Sequence, residues 1–179
     1  MKGFGFWLFL ALIAASIALM VVSFIGPWWT AYIESMPGQP ATVNIVIDIY
    51  QWGIPEGIQS EYWAADITPL YQVVLARIFL AASIILAISS HWLKGNKGKL
   101  LLGFIGISWI AYAIGALILI STRTGEYGIS MQGIVTLEAY SVVVTSSLQT
   151  GYYLSYAAGL LCVVLALTRN WLTGTNRKI

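Results

Sequence analysis

One cysteine and one histidine in 179 residues remove much of the chemistry open to a chain of this size. Cys162 has no second thiol, so an intrachain disulfide is excluded, as is the Cys-x-x-Cys pair of membrane thiol oxidoreductases. His91 stands without a neighbouring cysteine or carboxylate, whereas a zinc site takes three or four such ligands. Charge is as scarce: only 9% of the residues are Asp, Glu, Lys or Arg. No Gly-rich phosphate loop, Gly-x-Ser-x-Gly elbow or His-Glu-x-x-His helix occurs. Glu34, Asp48, Glu56, Glu61 and Asp66 lack the tight alternation of a calcium loop and read as a solvated acidic face. No catalytic group, cofactor or metal is therefore expected, and the chain reads as not an enzyme.

What is present is apolar. Hydrophobic residues make up 59% of the chain, and the mean hydropathy is +0.81. Crossing a bilayer as helix takes ~20 apolar residues, and the runs 4–25, 70–90, 100–120 and 148–168 qualify. A single membrane domain over 1–179 is expected, with loops 26–69, 91–99 and 121–147. The first run is longer than the roughly 7–15 residues of a signal-peptide core and no clear small-x-small site ends it, so it reads as a retained helix.

The few charges are sorted. Lys2, Lys94, Lys97, Lys99, Arg169, Arg177 and Lys178 fall at the termini or in the 91–99 loop, and all seven acids fall in the other two loops. That bias places both termini and loop 91–99 in the cytoplasm of a multi-pass plasma-membrane protein, with loops 26–69 and 121–147 outside. The basic residues are topology signals and contacts for membrane lipid, not a nucleic-acid patch.

The first loop organises the rest. Pro27 stops the first helix, and Trp28 and Trp29 are placed as an interfacial aromatic belt. Over 42–50, β-branched residues alternate with period two, which predicts a strand; Gly53, Pro55 and Gly57 end it. Residues 58–68 are acidic and aromatic, and include Trp63. The third loop opens with a turn at Thr124-Gly125-Glu126-Tyr127-Gly128. One or two strands are expected between Ile129 and Thr145, Gly133 marking a bulge or bend. Paired with 42–50, they predict a small antiparallel sheet built from both loops, since an isolated hairpin is marginal in water.

In the runs, small residues mark close helix packing. Ala11, Ala14, Ala15 and Ala18 form such a stripe in the first run, read as packing within the chain. Gly103, Gly106 and Gly115 do the same in the third, and Ala158 and Cys162 in the fourth. Arg77 lies about two turns inside the second run. It is either a functional intramembrane charge or, the reading adopted, a snorkelling side chain paired with Asp66 or Glu61.

The order of parts resembles the claudin superfamily, with its peripheral-myelin-protein and calcium-channel γ-subunit branches. Pro27-Trp28-Trp29 is similar to the Pro-x-Trp after that family's first helix. Tyr50-Gln51-Trp52-Gly53-Ile54 resembles its Gly-Leu-Trp. Arg77 resembles the arginine in the outer part of its second helix. Gly151-Tyr152-Tyr153-Leu154, with Ala157-Ala158-Gly159-Leu160-Leu161, is similar to the start of its fourth. The chain departs by lacking the cysteine pair that follows Gly-Leu-Trp, so its sheet depends on strand pairing and packing alone. The resemblance implies a claudin-like four-helix bundle with an extracellular sheet, and a structural or cell-contact role through self-association. The alternative is a non-catalytic auxiliary subunit of a larger membrane channel, transporter or respiratory complex. Trp28, Trp29, Trp52, Gly53, Ile54, Trp63 and Arg77 are the candidate interaction residues.

Overall fold

A run of 22 apolar residues can satisfy its backbone away from water only within itself, and Phe4–Ile25 is helical throughout (α1). The same holds for α2 (Leu70–Ser89), α3 (Asn96–Glu126) and α4 (Thr150–Thr173). The structure is a computed structural model and describes residues 3–38, 44–52, 70–93 and 96–174. Among them, these four helices are long and apolar enough to cross a membrane, which suggests a membrane protein.

Two helices differ from the predicted runs. α3 has 31 residues, roughly 46 Å of helix, and begins and ends beyond the apolar stretch 100–120. Its end is set by backbone chemistry, not by loss of hydrophobicity. Gly128 adopts φ +68°, its N–H bonds Gly125 O at 3.0 Å, and Ile129 N–H bonds Thr124 O at 2.9 Å. This paired closure satisfies the last carbonyls and needs a residue that tolerates the left-handed region. The expected turn at 124–128 thus shrinks to Tyr127-Gly128. α4 is shifted to 150–173 because Val142–Leu148 is a strand, so Leu148 ends the sheet and does not start the helix.

The remaining elements form one antiparallel sheet in the order β2-β1-β4-β3: β1 is Pro27–Ser35, β2 Asn44–Tyr50, β3 Gly133–Leu137 and β4 Val142–Leu148. The strand expected at 42–50 is present over its described part, and the third loop supplies two strands. β1 is the correction. The residues after Trp29 alternate Ala31, Ile33 inward with Tyr32, Glu34 outward, Thr30 being buried on the latter face, and this strand, not β2, joins the two loops. It pairs with β2 on one side (Ala31 opposite Ile47) and with β4 on the other (Ala31 opposite Ser146).

The chain divides into two compact units. One comprises residues up to Val22, Arg77–Ala113 and Leu154 onward; the other comprises Ser23–Ala76 and Ile114–Tyr153. The first has a core drawn from all four helices: Phe9, Ile13 and Met20 from α1, Ala87 from α2, Leu102, Ile105 and Trp109 from α3, and Ala158, Cys162 and Leu165 from α4. Trp109 donates its indole N–H to Ser83 Oγ at 3.0 Å, so this wide side chain is buried without an orphaned donor. In the second unit, Trp29, Ala31, Ile47 and Val144 of the sheet enclose a core with Ile120 and Ile129.

Candidate functional site

The tryptophan pair works as a joint between helix and sheet. Register slips between Pro27 and Trp29, so Trp28 is the extra residue of a bulge. Its indole turns back and donates to Ser23 O at 2.9 Å, meeting a carbonyl of the last turn of α1, and its ring stands edge-on to Tyr152 at 5.7 Å. Trp29 points into the sheet core and donates to Met131 O at 2.8 Å. At the same place the start of α4 passes close. Ser23 Oγ donates to Gly151 O at 2.7 Å, and a Cβ on Gly151 would sit 2.6 Å from both Gly26 O and Pro27 O. The two indoles are 1% and 0% exposed, so neither forms an aromatic belt nor presents itself to a partner. Expected at an interface, they are interior residues.

The sheet has two unlike faces. Trp29, Ala31, Ile33, Ile45, Ile47, Ile49 and Val144 lie on the covered one. On the other, Val46, Tyr32, Thr145 and Ile134 make one row across all four strands. Tyr32 is 46% exposed, Val46 40% and Ile134 72%. The rows beside it are polar except for Val143: Asn44, Glu34, Val143 and Thr136 on one side, Asp48, Thr30 and Ser147 on the other, with Thr30 Oγ1 donating to Asp48 Oδ1 at 2.6 Å. Among the described residues no strand pairs with the outer edge of β2 or of β3. Trp52, just past β2, is half-buried and stacks on Tyr50 at 5.1 Å. Gly53, Ile54 and Trp63 lie outside the described residues, as do Glu61 and Asp66.

The candidate packing residues separate by what surrounds them. A Cβ on Gly106 would fall 2.6 Å from Gly159 O and 2.7 Å from a Val163 methyl, so α3 and α4 touch backbone to backbone there. Ala158 is fully buried in the same seam. Gly103 would place its Cβ at an ordinary 3.7 Å from Ala166, and Gly115 meets nothing within 4 Å. The alanine stripe of α1 is a second correction: Ala11, Ala14, Ala15 and Ala18 are exposed. The inward face of α1 carries Phe9, Ile13, Ser16 and Met20 instead. α1 comes close to α4 at Gly5, where a Cβ would meet Leu172 O at 2.5 Å, and along Phe9, Ile13 and Met20 it fills its side of the core with bulk.

Two arginines of the helical unit contrast. Arg77 is exposed, and among the described residues no hydrogen bond or ion pair engages it. Arg169, read from sequence as an inner boundary marker, is 4% exposed. It donates to Ser90 O at 3.1 Å and to Leu93 O, carbonyls of the turn that follows the C-terminal end of α2, near which a cation is favoured by the helix dipole. The guanidinium carbon lies 6.0 Å over the Phe9 ring. A Cβ on Gly98 would come within 2.6 Å of that carbon, so the first turn of α3 needs glycine to admit it. Sequence reading missed this node, as it missed Tyr32 and Ile134. For Tyr32 the signal was present, in the alternation that follows Trp29.

A scan against protein-family models and a search of curated proteins each give no match. Among the described residues no three His, Cys, Asp or Glu side chains converge on a common point.

Proposed function

We propose that the chain is a claudin-like structural protein of the plasma membrane that associates with copies of itself through its extracellular sheet. Both termini and loop 91–99 face the cytoplasm in this reading, supported by the Lys/Arg bias of those segments. The observation that carries it is the row Val46, Tyr32 and Ile134, apolar and aromatic on a largely polar face, between two strands whose outer edges no other strand pairs with among the described residues. An exposed edge is a template for another strand, and tyrosine is a frequent anchor at protein contacts. The absence of an acid–base or nucleophilic constellation from the sequence suits a structural role. In mixed cultures of cells carrying two differently tagged copies, both tags are expected to concentrate where cells touch. A uniform distribution over the membrane would count against the reading.

A second reading, an auxiliary subunit of a larger membrane protein, is favoured by a separate observation. The exposed Ala11, Ala14, Ala15 and Ala18 of α1, and the open surface over Gly115, suit close approach by a foreign helix. Ala15→Leu and Gly115→Leu should then abolish co-purification of a stoichiometric partner without unfolding the chain. Gly106→Leu is uninformative for this purpose, because that glycine is occupied by α4.

A further inference from the structure

Every carboxylate of the chain lies between Glu34 and Asp66 or at Glu126 and Glu138. The helical unit, built from residues up to Val22, Arg77–Ala113 and Leu154 onward, therefore contains two arginines within its helices and no acid at all. Arg169 meets this condition with backbone carbonyls and burial. Arg77 does not: it is exposed, and its own face of α2 continues with Ile78 (57% exposed), Ala81, Ile85 (63%) and Ile88 (42%). On the membrane-spanning reading, that face meets lipid tails. A guanidinium there is costly unless it reaches an anion.

The helix geometry decides which anion is within reach. α2 has 20 residues, about 30 Å of helix, which matches the hydrocarbon thickness of a bilayer. Arg77 is seven residues from the start, a rise of about 10 Å. Side chains on a helix lean toward its N-terminus and cover the preceding turn, so the guanidinium is carried roughly 5 Å nearer the start of α2. That level is one that phospholipid headgroup oxygens attain. The flat fork of five N–H donors matches a phosphate diester in two-point contact, and the apolar residues Ile78, Ala81 and Ile85 below it fit an acyl chain.

We propose that Arg77 and the Ile78–Ala81–Ile85 face of α2 hold one phospholipid molecule, its phosphate on the guanidinium and a tail along the isoleucines. The site rests on the membrane-spanning reading and is independent of whether the sheet self-associates. Charge complementarity points to the phosphate, since among the described residues no carboxylate engages the Arg77 guanidinium.

The test is native mass spectrometry of the full chain released from nanodiscs of phosphatidylcholine with phosphatidylglycerol as the minor lipid. The wild type is expected to keep one phospholipid after the bulk lipid has been stripped. Arg77→Gln should lower that bound fraction about tenfold or more, the equivalent of one charged hydrogen-bonded contact. Arg77→Lys should retain an intermediate fraction, because it keeps the charge and loses the fork. Lys97→Gln with Lys99→Gln, at the other end of the helices, should leave the fraction unchanged. Equal retention by wild type and Arg77→Gln overturns the proposal, provided their thermal unfolding profiles agree. Loss that follows the lysines instead of Arg77 also overturns it. So does loss of a stoichiometric protein in place of a lipid, which would identify a partner's carboxylate as the anion. Failure of the chain to insert into nanodiscs would refute the membrane-spanning reading itself.

Discussion

At the scale of single residues, buried polar contacts of Trp28, Trp29 and Arg169 tie elements together. Trp28 links the end of α1 to the start of α4 through its indole hydrogen bond to Ser23 O and its ring contact with Tyr152. Trp28→Phe keeps the ring contact and leaves Ser23 O without its donor, so it should lower stability by about 1 kcal/mol. Trp29→Ala removes the largest side chain of the sheet core and should cost about 3–5 kcal/mol. Both are measured by reversible unfolding in mild detergent. The Arg169 node has a more specific signature. Gly98→Ala pushes a methyl against the guanidinium and against Ser90 O, 2.7 Å away, so one of them must shift. A loss of about 1–3 kcal/mol is expected. Combining it with Arg169→Leu should cost less than the sum of the two single effects, since the part of the clash made with the guanidinium disappears and only that with Ser90 O remains. An additive double mutant would show that the two residues do not act on each other.

At the scale of elements, the glycines of α3 give the sharpest contrast, because the same substitution meets three different surroundings. Gly106→Ala must separate α3 from α4 and should destabilise by about 1–3 kcal/mol. Gly115→Ala, open on its exposed side, should be neutral or stabilising, since alanine is the better helix former by about 1 kcal/mol. Gly103→Ala should fall on the stabilising side as well, its new methyl merely touching Ala166. Thermal midpoints of the three variants order these effects directly. Sequence reading treated the three glycines alike, for helical periodicity reveals a stripe but not which turn of it meets backbone. The four helices were legible because membrane-length apolar runs have few alternatives. β2 was legible through its unbroken alternation from Asn44 to Tyr50. β1 was not: Pro27-Trp28-Trp29 has the composition of an aromatic belt, and the bulge at Trp28 shifts the phase of the alternation after it. The extension of α3 to Glu126 was hidden for another reason. Gly125 and Gly128 look equally like breakers, and only the backbone angle at Gly128 distinguishes the cap. Burial of Arg169 depends on Gly98, distant in the chain, and a basic residue ending an apolar run is ordinarily a topology signal.

At the scale of the whole molecule, the proposed self-association makes a demand that can be separated from folding. Ile134 is the most exposed apolar residue of the sheet, at 72%, and lies on an edge strand; Tyr32 sits in the same row. Neither supports the core enclosed by Trp29, Val144 and Ile120. Ile134→Lys and Tyr32→Glu should each change stability by no more than about 0.5 kcal/mol, as exposed substitutions do. Lysine on an edge strand opposes strand addition, and glutamate beside Glu34 and Asp48 adds like charge to a face that must meet its own copy. Crosslinking in native membranes should therefore show homodimer yield falling in both variants, and further in the double variant, while the unfolding midpoint holds. Ala15→Leu, on the exposed stripe of α1, should leave that yield unchanged if the sheet is the contact. A yield that falls with Ala15→Leu and survives the sheet variants would move the association to the helices. The open row of the sheet would then have no part in holding copies together, and the auxiliary-subunit reading would become the stronger of the two.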